Sequence, residues 1–551
     1  MKARWPILLV ALALLGLGAE VVQRSATHLR PRYDEVAYLA LARDYARAGG
    51  VAATIRCHLE ARCREDNRPP LFEFLLLGVV DDSPASFAKA KLLTFATSLF
   101  LLAVVWFAVR RSFSTAVAAG SVVVLALTPG LADMGSHVLH DPLYSALTFA
   151  VVYAIAAWQE RGPAWWLLAG ALIGLAFLTK GSGHLLLLPL IVVSLYRHRA
   201  ALARKSIVYA AALGFVAVSF FLLWRNLKAY GSPLYNVNAR LVWLDRWQDF
   251  WAMYLEPEWN NVGLGWYLQR HSVVQLVVRV FRGAGITVGI FAYEAGIGFA
   301  HPALRAITGA VVLLLAVLGL RRRWLAGHRV EVLAVVSTIV VCGAALSLAS
   351  SGGHGPQARY AYPYIALLVP YFVCELLEKV WPPVREWLSR HGARQRPGEV
   401  GILLLSILFV ARLAAAAPAA AANPASLYAV DPHWHETSVW LAHTLEPGER
   451  FALPYQSTYS TWDVPRPDTD PRWNYWFGMP AEKLQNTLAG AHIRKVLTDR
   501  EGPEYREYAD KLSAAGDAHG PLSFLGWPRC FADSGQPSRF LIFCRPLIWE
   551  P

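Results

Sequence analysis

Charge is scarce in this sequence, and acid is scarcer than base: 17% of residues are Asp, Glu, Lys or Arg, with 52 basic against 39 acidic side chains, while 55% are hydrophobic. That shortage excludes a soluble globular domain as the main body of the chain. No clean small-residue cleavage site closes the first apolar run, so Trp5 to Val22, behind Lys2 and Arg4, reads as an uncleaved helix rather than a signal peptide. Neither pair of loop cysteines has CxxC spacing, which argues against a zinc site there. No strand–loop–helix unit surrounds the Gly-rich run Ser350 to Gly355, so it is no phosphate-binding fingerprint. There is no internal repeat, and the only low-complexity stretch is the Ala-rich run 414–422.

What is abundant is apolar runs of roughly 17–24 residues, each able to cross a hydrocarbon core of about 30 Å. The net charge of +13 would suit nucleic acid. The arginines, however, cluster in short links between apolar runs, where the positive-inside rule expects them, so the charge reports orientation and no nucleic-acid partner is inferred. From a cytoplasmic amino terminus the expected spans are 5–22, 87–109, 113–131, 142–158, 165–178, 184–196, 207–224, 304–320, 330–348, 362–377 and 400–417. Segment 24–85 is then the first external loop. Segment 225–300, rich in Trp, Tyr, Gly and charge, is expected outside as interfacial helices, because 273–299 carries Arg279, Arg282 and Glu294. The fold class is a polytopic α-helical membrane protein of about eleven spans over residues 1–422, with a small external α/β domain at 423–551.

In that terminal domain, helix candidates Glu436–Leu445 and Pro480–Ala489 are each followed by a strand candidate, Arg450–Leu453 and Lys495–Leu497, and Arg539–Cys544 is a last strand. The six cysteines divide in keeping with the topology. Cys57 and Cys63 lie in the first external loop and Cys530 and Cys544 in the terminal domain, which predicts Cys57–Cys63 and Cys530–Cys544 bridges on an oxidising side. Cys342 and Cys374 fall inside spans, as small apolar residues do.

Topology decides which chemical groups can meet. Asp34, Glu35, Arg68, His137, His140, Asp141, Lys180, Arg225, His354 and Arg359 all fall at external ends of spans or in external loops. Ionisable groups gathered at one membrane surface favour an anionic substrate presented from the lipid, whereas a secondary transporter places them at mid-membrane. Each has an ordinary alternative. Asp34 is a favoured helix cap, and Asp141 before Pro142 could cap its span. Lys180 and Arg225 could snorkel from span ends. His137 and His140, at i,i+3, could hold a metal with Asp141, which makes a divalent ion the one candidate cofactor. A non-catalytic receptor or assembly protein would tolerate the loss of Asp34.

The order of Tyr33-Asp34-Glu35, Arg68-Pro69-Pro70-Leu71, His140-Asp141-Pro142-Leu143, Leu178-Thr179-Lys180-Gly181, Arg225-Asn226 with Gly231-Ser232-Pro233-Leu234-Tyr235, and Arg359-Tyr360 resembles the GT-C glycosyltransferases over residues 1–380. It is most similar to the bacterial branch related to protein O-mannosyltransferases and the lipid A aminoarabinose transferase. The resemblance implies an integral enzyme of the cytoplasmic (inner) membrane, with its site and terminal domain facing the periplasm. Such an enzyme moves a sugar from a polyprenyl-phosphate carrier to a hydroxyl of a lipid, glycan or protein. It further implies Asp34 as catalytic base and Asp141 as second acid. Arg68 stands where many relatives have the lysine of a Lys-Pro-Pro motif, which keeps the charge and changes its geometry.

Elementary chemistry fits that implication. Displacing a lipid phosphate from an anomeric carbon needs a base for the acceptor proton and cations for charge growing on the phosphate. Asp34 supplies the first. Arg68, Lys180, Arg225 and Arg359, with Tyr33 and His354 beside them, are the candidates for the second. A single displacement inverts the anomeric centre; a double one needs a second carboxylate close to the sugar, for which Glu35 and Asp141 are the candidates.

Overall fold

The computed structural model describes residues 5–28, 31, 34–63, 65, 67–81, 85–157, 161–197, 205–245, 261–297, 301–352, 358–383 and 386, and beyond these short segments between 436 and 544. The expected span 400–417, the 422/423 boundary, Tyr33 and His354 lie outside the described residues.

The first ten expected spans are all helical. They are α1 (Trp5–Thr27), α5 (Ser86–Ser112), the pair α6 (Thr115–Leu127) and α7 (Pro129–Gly135), α8 (Asp141–Ala157), α9 (Pro163–Thr179), α10 (Leu187–Arg197), α11 (Lys205–Tyr230), α15 (Pro302–Leu325), α16 (Arg329–Ser350) and α17 (Tyr362–Glu375). By length and composition alone, seven described helices can cross a membrane, or eight if the bent pair α6–α7 is one span. The shorter apolar helices α8 and α9 and the segment Gly181–Arg197 complete the bundle. The expected third span is thus not straight. Pro129 disfavours helical geometry in the residue before it, Thr128 sits at φ −74°, ψ 129°, and the chain bends by 67°. The Thr128 hydroxyl then meets the Tyr362 hydroxyl at 2.8 Å, tying the break to the start of α17.

Between α1 and α5 the first loop folds as three short helices, α2 (Asp34–Arg47), α3 (Gly50–Leu59) and α4 (Leu71–Leu76). After α11 come α12 (Asn238–Leu241), α13 (Leu264–Arg270) and α14 (Val273–Ala295). α14 is one unbroken helix, about 34 Å long at 1.5 Å per residue. It is among the seven described helices long and apolar enough to cross a membrane. Near its start, Arg279 donates to the carbonyls of Val242 and Leu244, and at its end Glu294 pairs with Arg305 in the first turn of α15. Its buried stripe is Arg279, Gly283, Thr287, Phe291 and Glu294, while Val274, Val278, Phe281 and Val288 are exposed. Polar inward and apolar outward is the reverse of a soluble amphipathic helix and suits contact with lipid.

α9 and α11 pack closely in parallel. Gly170 lies on the backbone of Ala211, where a Cβ would not fit. Small residues at such a crossing let backbones approach, and the pairing carries Lys180 and Arg225 to one level. α8 is buried over almost its whole length.

In the terminal segments five strands form one sheet in the order β1-β2-β7-β6-β5: β1 (Arg450–Ala452), β2 (Ile493–Asp499), β5 (Ser523–Phe524), β6 (Trp527–Ala532) and β7 (Phe540–Cys544), with β3 (Gly516–Asp517) and β4 (Gly520–Pro521) paired separately. β1 and β2 are parallel and the other contacts antiparallel. β6 is unexpected, because Pro528 and Arg529 break its apolar pattern. Its pairing with β7 brings Cys530 to Cys544, Cα–Cα 5.8 Å, and Cys57 is joined to Cys63, Cα–Cα 5.4 Å. Cys342 and Cys374 are free and buried.

Two predictions follow from these burials. Replacing Cys530 and Cys544 by serine should cost the terminal sheet about 3 kcal/mol, the usual worth of closing a loop of this length, read as earlier proteolysis of residues 490–544. In α4, Glu73 is fully buried, and neither carboxylate oxygen has a hydrogen-bond partner among the described residues. Burial pushes it from the ordinary 4.5 up to about 8. The folded loop therefore keeps this proton longer than the unfolded chain, and its stability should fall as pH rises from about 4.5 to about 8 and level off above. Glu73→Gln should flatten that slope, as measured by hydrogen exchange of residues 34–76; an unchanged slope would assign it to another group.

Candidate active site

Asp34 opens α2 and is clasped by two guanidiniums. Arg68 Nη2 donates to its Oδ1 at 2.8 Å, and Arg359 Nη2 donates to its Oδ2. Burial alone would raise the Asp34 carboxyl, but Arg359 and Arg68 outweigh it and hold the group far below the ordinary carboxylate range. It is an ionised acid at the centre of a cationic clamp.

Its neighbour Glu35 turns the other way. Buried at 2% exposure, it meets His28 Nε2 at 2.6 Å and accepts from the Val138 amide at 2.7 Å. Burial would raise Glu35 too, and the contact with His28 outweighs it. One residue's difference on a helix thus separates the two acids: Asp34 faces the arginines, while Glu35 ties α2 to the end of α1 and to the segment that leads into Asp141. Lys91 completes that joint by donating to the carbonyls of Ser25 and His28, at 3.1 and 2.8 Å.

Asp141, fully buried at the start of α8, accepts from Lys180 Nζ at 2.8 Å. Among the described residues its other oxygen makes no hydrogen bond, and Arg359 Nη1 lies 3.9 Å from it. Arg359 therefore stands between the two acids, and Lys180 lies 3.8 Å from the centre of the Tyr360 ring. Three cations, Arg68, Arg359 and Lys180, gather around Asp34 and Asp141, with Glu65 4.0 Å from Arg68 as a third acid, so the cluster is matched in charge and its cations are placed where an anion could draw on them.

His140 Nδ1 meets the Tyr38 hydroxyl, and burial pushes its imidazole down to about 3, so it stays neutral. His137 instead meets the carbonyl of Asp133 at 2.8 Å and lies against the His28 ring. His137, His140 and Asp141 therefore do not converge as ligands, and among the described residues no three His, Cys, Asp or Glu side chains gather as a metal site. Arg225 is not at the Asp34 carboxylate. It donates to the carbonyls of Cys63, at 3.3 Å, and Glu65.

Sequence reasoning missed Glu65 and Asn67. The Glu65 side chain accepts from the amides of Asn67 and Arg68, both at 2.9 Å, and so shapes the turn that presents Arg68. An acid three residues before a singled-out arginine was the available signal.

Residues 67–224 match the family model described as dolichyl-phosphate-mannose-protein mannosyltransferase. No curated protein sequence matches the chain. Among solved structures, ArnT from Cupriavidus metallidurans bound to undecaprenyl phosphate is similar over 100% of both chains, with TM-score 0.55 and 14% identity. The archaeal oligosaccharyltransferase AglB from Archaeoglobus fulgidus, in complex with an inhibitory peptide and a dolichol-phosphate, is similar over 92% of this chain and 71% of its own, with TM-score 0.52 and 14% identity. The chain has the GT-C glycosyltransferase fold.

Proposed function

We propose that the protein is a glycosyltransferase that moves a sugar from a polyprenyl-phosphate carrier to a hydroxyl group of a lipid, glycan or protein acceptor. The observation that carries this reading is Asp34 held between Arg68 and Arg359, with the Asp141–Lys180 pair beside it. The matches to enzymes whose structures hold dolichol-phosphate and undecaprenyl phosphate support it.

In this reading the acceptor hydroxyl gives its proton to Asp34 as its oxygen bonds to the anomeric carbon. The bond from that carbon to the carrier phosphate breaks, and the phosphate leaves with the electron pair. A carboxylate clasped by two guanidiniums is a weak base. When the donor's phosphate draws Arg68 and Arg359 toward itself, Asp34 loses part of that stabilisation and its proton affinity rises, so donor binding itself readies the base. Lys180 adds positive charge beside the phosphate, and Asp141 holds Lys180 in place. Glu35, committed to His28 and Val138, is not available as a second nucleophile. Asp141, committed to Lys180, is taken as a support of that cation and not as a nucleophile, so the reading is a single displacement with inversion.

The site and the terminal domain are assigned to the periplasmic side of the inner membrane, on the distribution of arginines between the spans. Thiol labelling of single-cysteine variants in whole cells tests this: positions in 34–76 should react with an impermeant reagent, and reaction only after lysis would reverse the orientation.

The chemical test uses purified protein with labelled polyprenyl-phosphate sugars and a panel of acceptors. Asp34→Asn keeps size and most capping ability, and transfer should fall about 10²–10⁴-fold, the usual worth of a positioned base. Arg68→Ala should weaken use of the phosphate-linked donor and leave binding of a phosphate-free acceptor nearly unchanged. A correctly inserted Asp34→Asn protein that transfers at the parent rate would return Asp34 to the role of helix cap.

A further inference from the structure

One short segment, 224–238, holds the irregular stretch of the first loop at several points. Trp224 Nε1 donates to the Leu59 carbonyl at 3.0 Å, and Arg225 donates to the carbonyls of Cys63 and Glu65. Asn236 Nδ2 donates to the Asn67 carbonyl at 3.1 Å, and Asn238 Nδ2 to the Asn67 side-chain oxygen at 2.5 Å. The stretch is closed on itself by the Cys57–Cys63 bridge, and Glu65 caps the amides of Asn67 and Arg68. Main-chain carbonyls outside regular structure need partners, and here those of Cys63, Glu65 and Asn67 find them on the end of α11 and the loop behind it.

Asn236 also touches a second part of the site. Gly181 follows Lys180, and a Cβ at that position would meet the Asn236 side-chain amide. Asn236 therefore sits between the turn that carries Lys180 and the turn that carries Arg68. The two cations belong to different pairs, Lys180 with Asp141 and Arg68 with Asp34, and this contact joins the turns that carry them.

We propose that Arg225, Asn236 and Asn238 are positioning residues: they hold Cys63, Glu65 and Asn67 so that Arg68 meets Asp34, and through Gly181 they keep that pair in register with Lys180 and Asp141. Arg225, a buried arginine at a span end, thereby acts on the backbone of the loop that presents Arg68. The inference rests on the function proposed above, and its test separates the two.

Gly181→Ala adds one methyl group, removes no polar atom and presses on one side chain, that of Asn236, so it perturbs the contact directly. Asn236→Ala removes the same contact from the other side. Both should lower kcat about 10–100-fold, the range expected when a catalytic group is misplaced by about 1 Å, with little change in acceptor KM. In an Arg68→Ala background the same substitutions should cost less than about 2-fold further, because the group they position is gone. Hydrogen exchange at the amides of Asn67 and Arg68 should quicken in both variants. Exchange that stays as slow as in the parent, or losses that simply add to that of Arg68→Ala, would overturn the positioning role. Quickened exchange with parental transfer rates in both Asn236→Ala and Arg68→Ala would instead overturn the function assigned to Arg68.

Discussion

The constraint on which the rest depends is that a charge buried beside a bilayer has to be answered by another. Asp34 is answered by Arg68 and Arg359, and Asp141 by Lys180 with Arg359 nearby. Leaving any one of these unpaired in a low-dielectric setting costs several kcal/mol, so their positions are fixed jointly rather than one by one. The bundle geometry serves that end. α9 packs on α11, the helix whose end clasps the first loop, and the bend at Thr128-Pro129 is tied to Tyr362, just after the 3-10 turn Ala358–Ala361 that carries Arg359. The charges lie together at one surface, which is where a substrate with its tail in the lipid would present a phosphate.

Much of this was legible in the sequence because apolar length and arginine placement are one-dimensional signals. Ten of the expected spans coincide with described helices, and the residues singled out at Asp34, Arg68, Asp141, Lys180 and Arg359 converge within contact distance. What the sequence hid were directions. Nothing in Asp34-Glu35 says that one carboxylate faces two arginines while the other, one residue on, faces His28 and a backbone amide. That follows from the 100° step of a helix only once the helix has been placed. The charge of Arg225 and its position at a span end are what the sequence displays. Its partners are carbonyls, which carry no sequence signature. The two histidines at i,i+3 share a spacing but not a target, since a turn of loop lies between them. In the terminal sheet, β6 escaped notice because Pro528 and Arg529 look like a turn. Its partner β7 supplies the pairing that makes it a strand.

In α14 the hydropathy reading and the charges pull apart. Its length and apolar content make it one of the seven described helices able to cross a membrane, yet Arg279 and Glu294 lie on its buried stripe, answered by the Val242 and Leu244 carbonyls and by Arg305. Buried charge on an apolar helix is tolerated where partners within the protein answer it.

The Asp34–Arg359 pair joins positions 325 residues apart. A ribosome adding roughly 5–20 residues per second needs about 15–65 s to travel between them. Through that interval the nascent chain already has its first acid, and Arg68 soon after, but not the arginine that stands between the two acids. The order of synthesis therefore delays the completed charge cluster until α17 emerges, so a chain that stalls earlier carries only a fragment of the site.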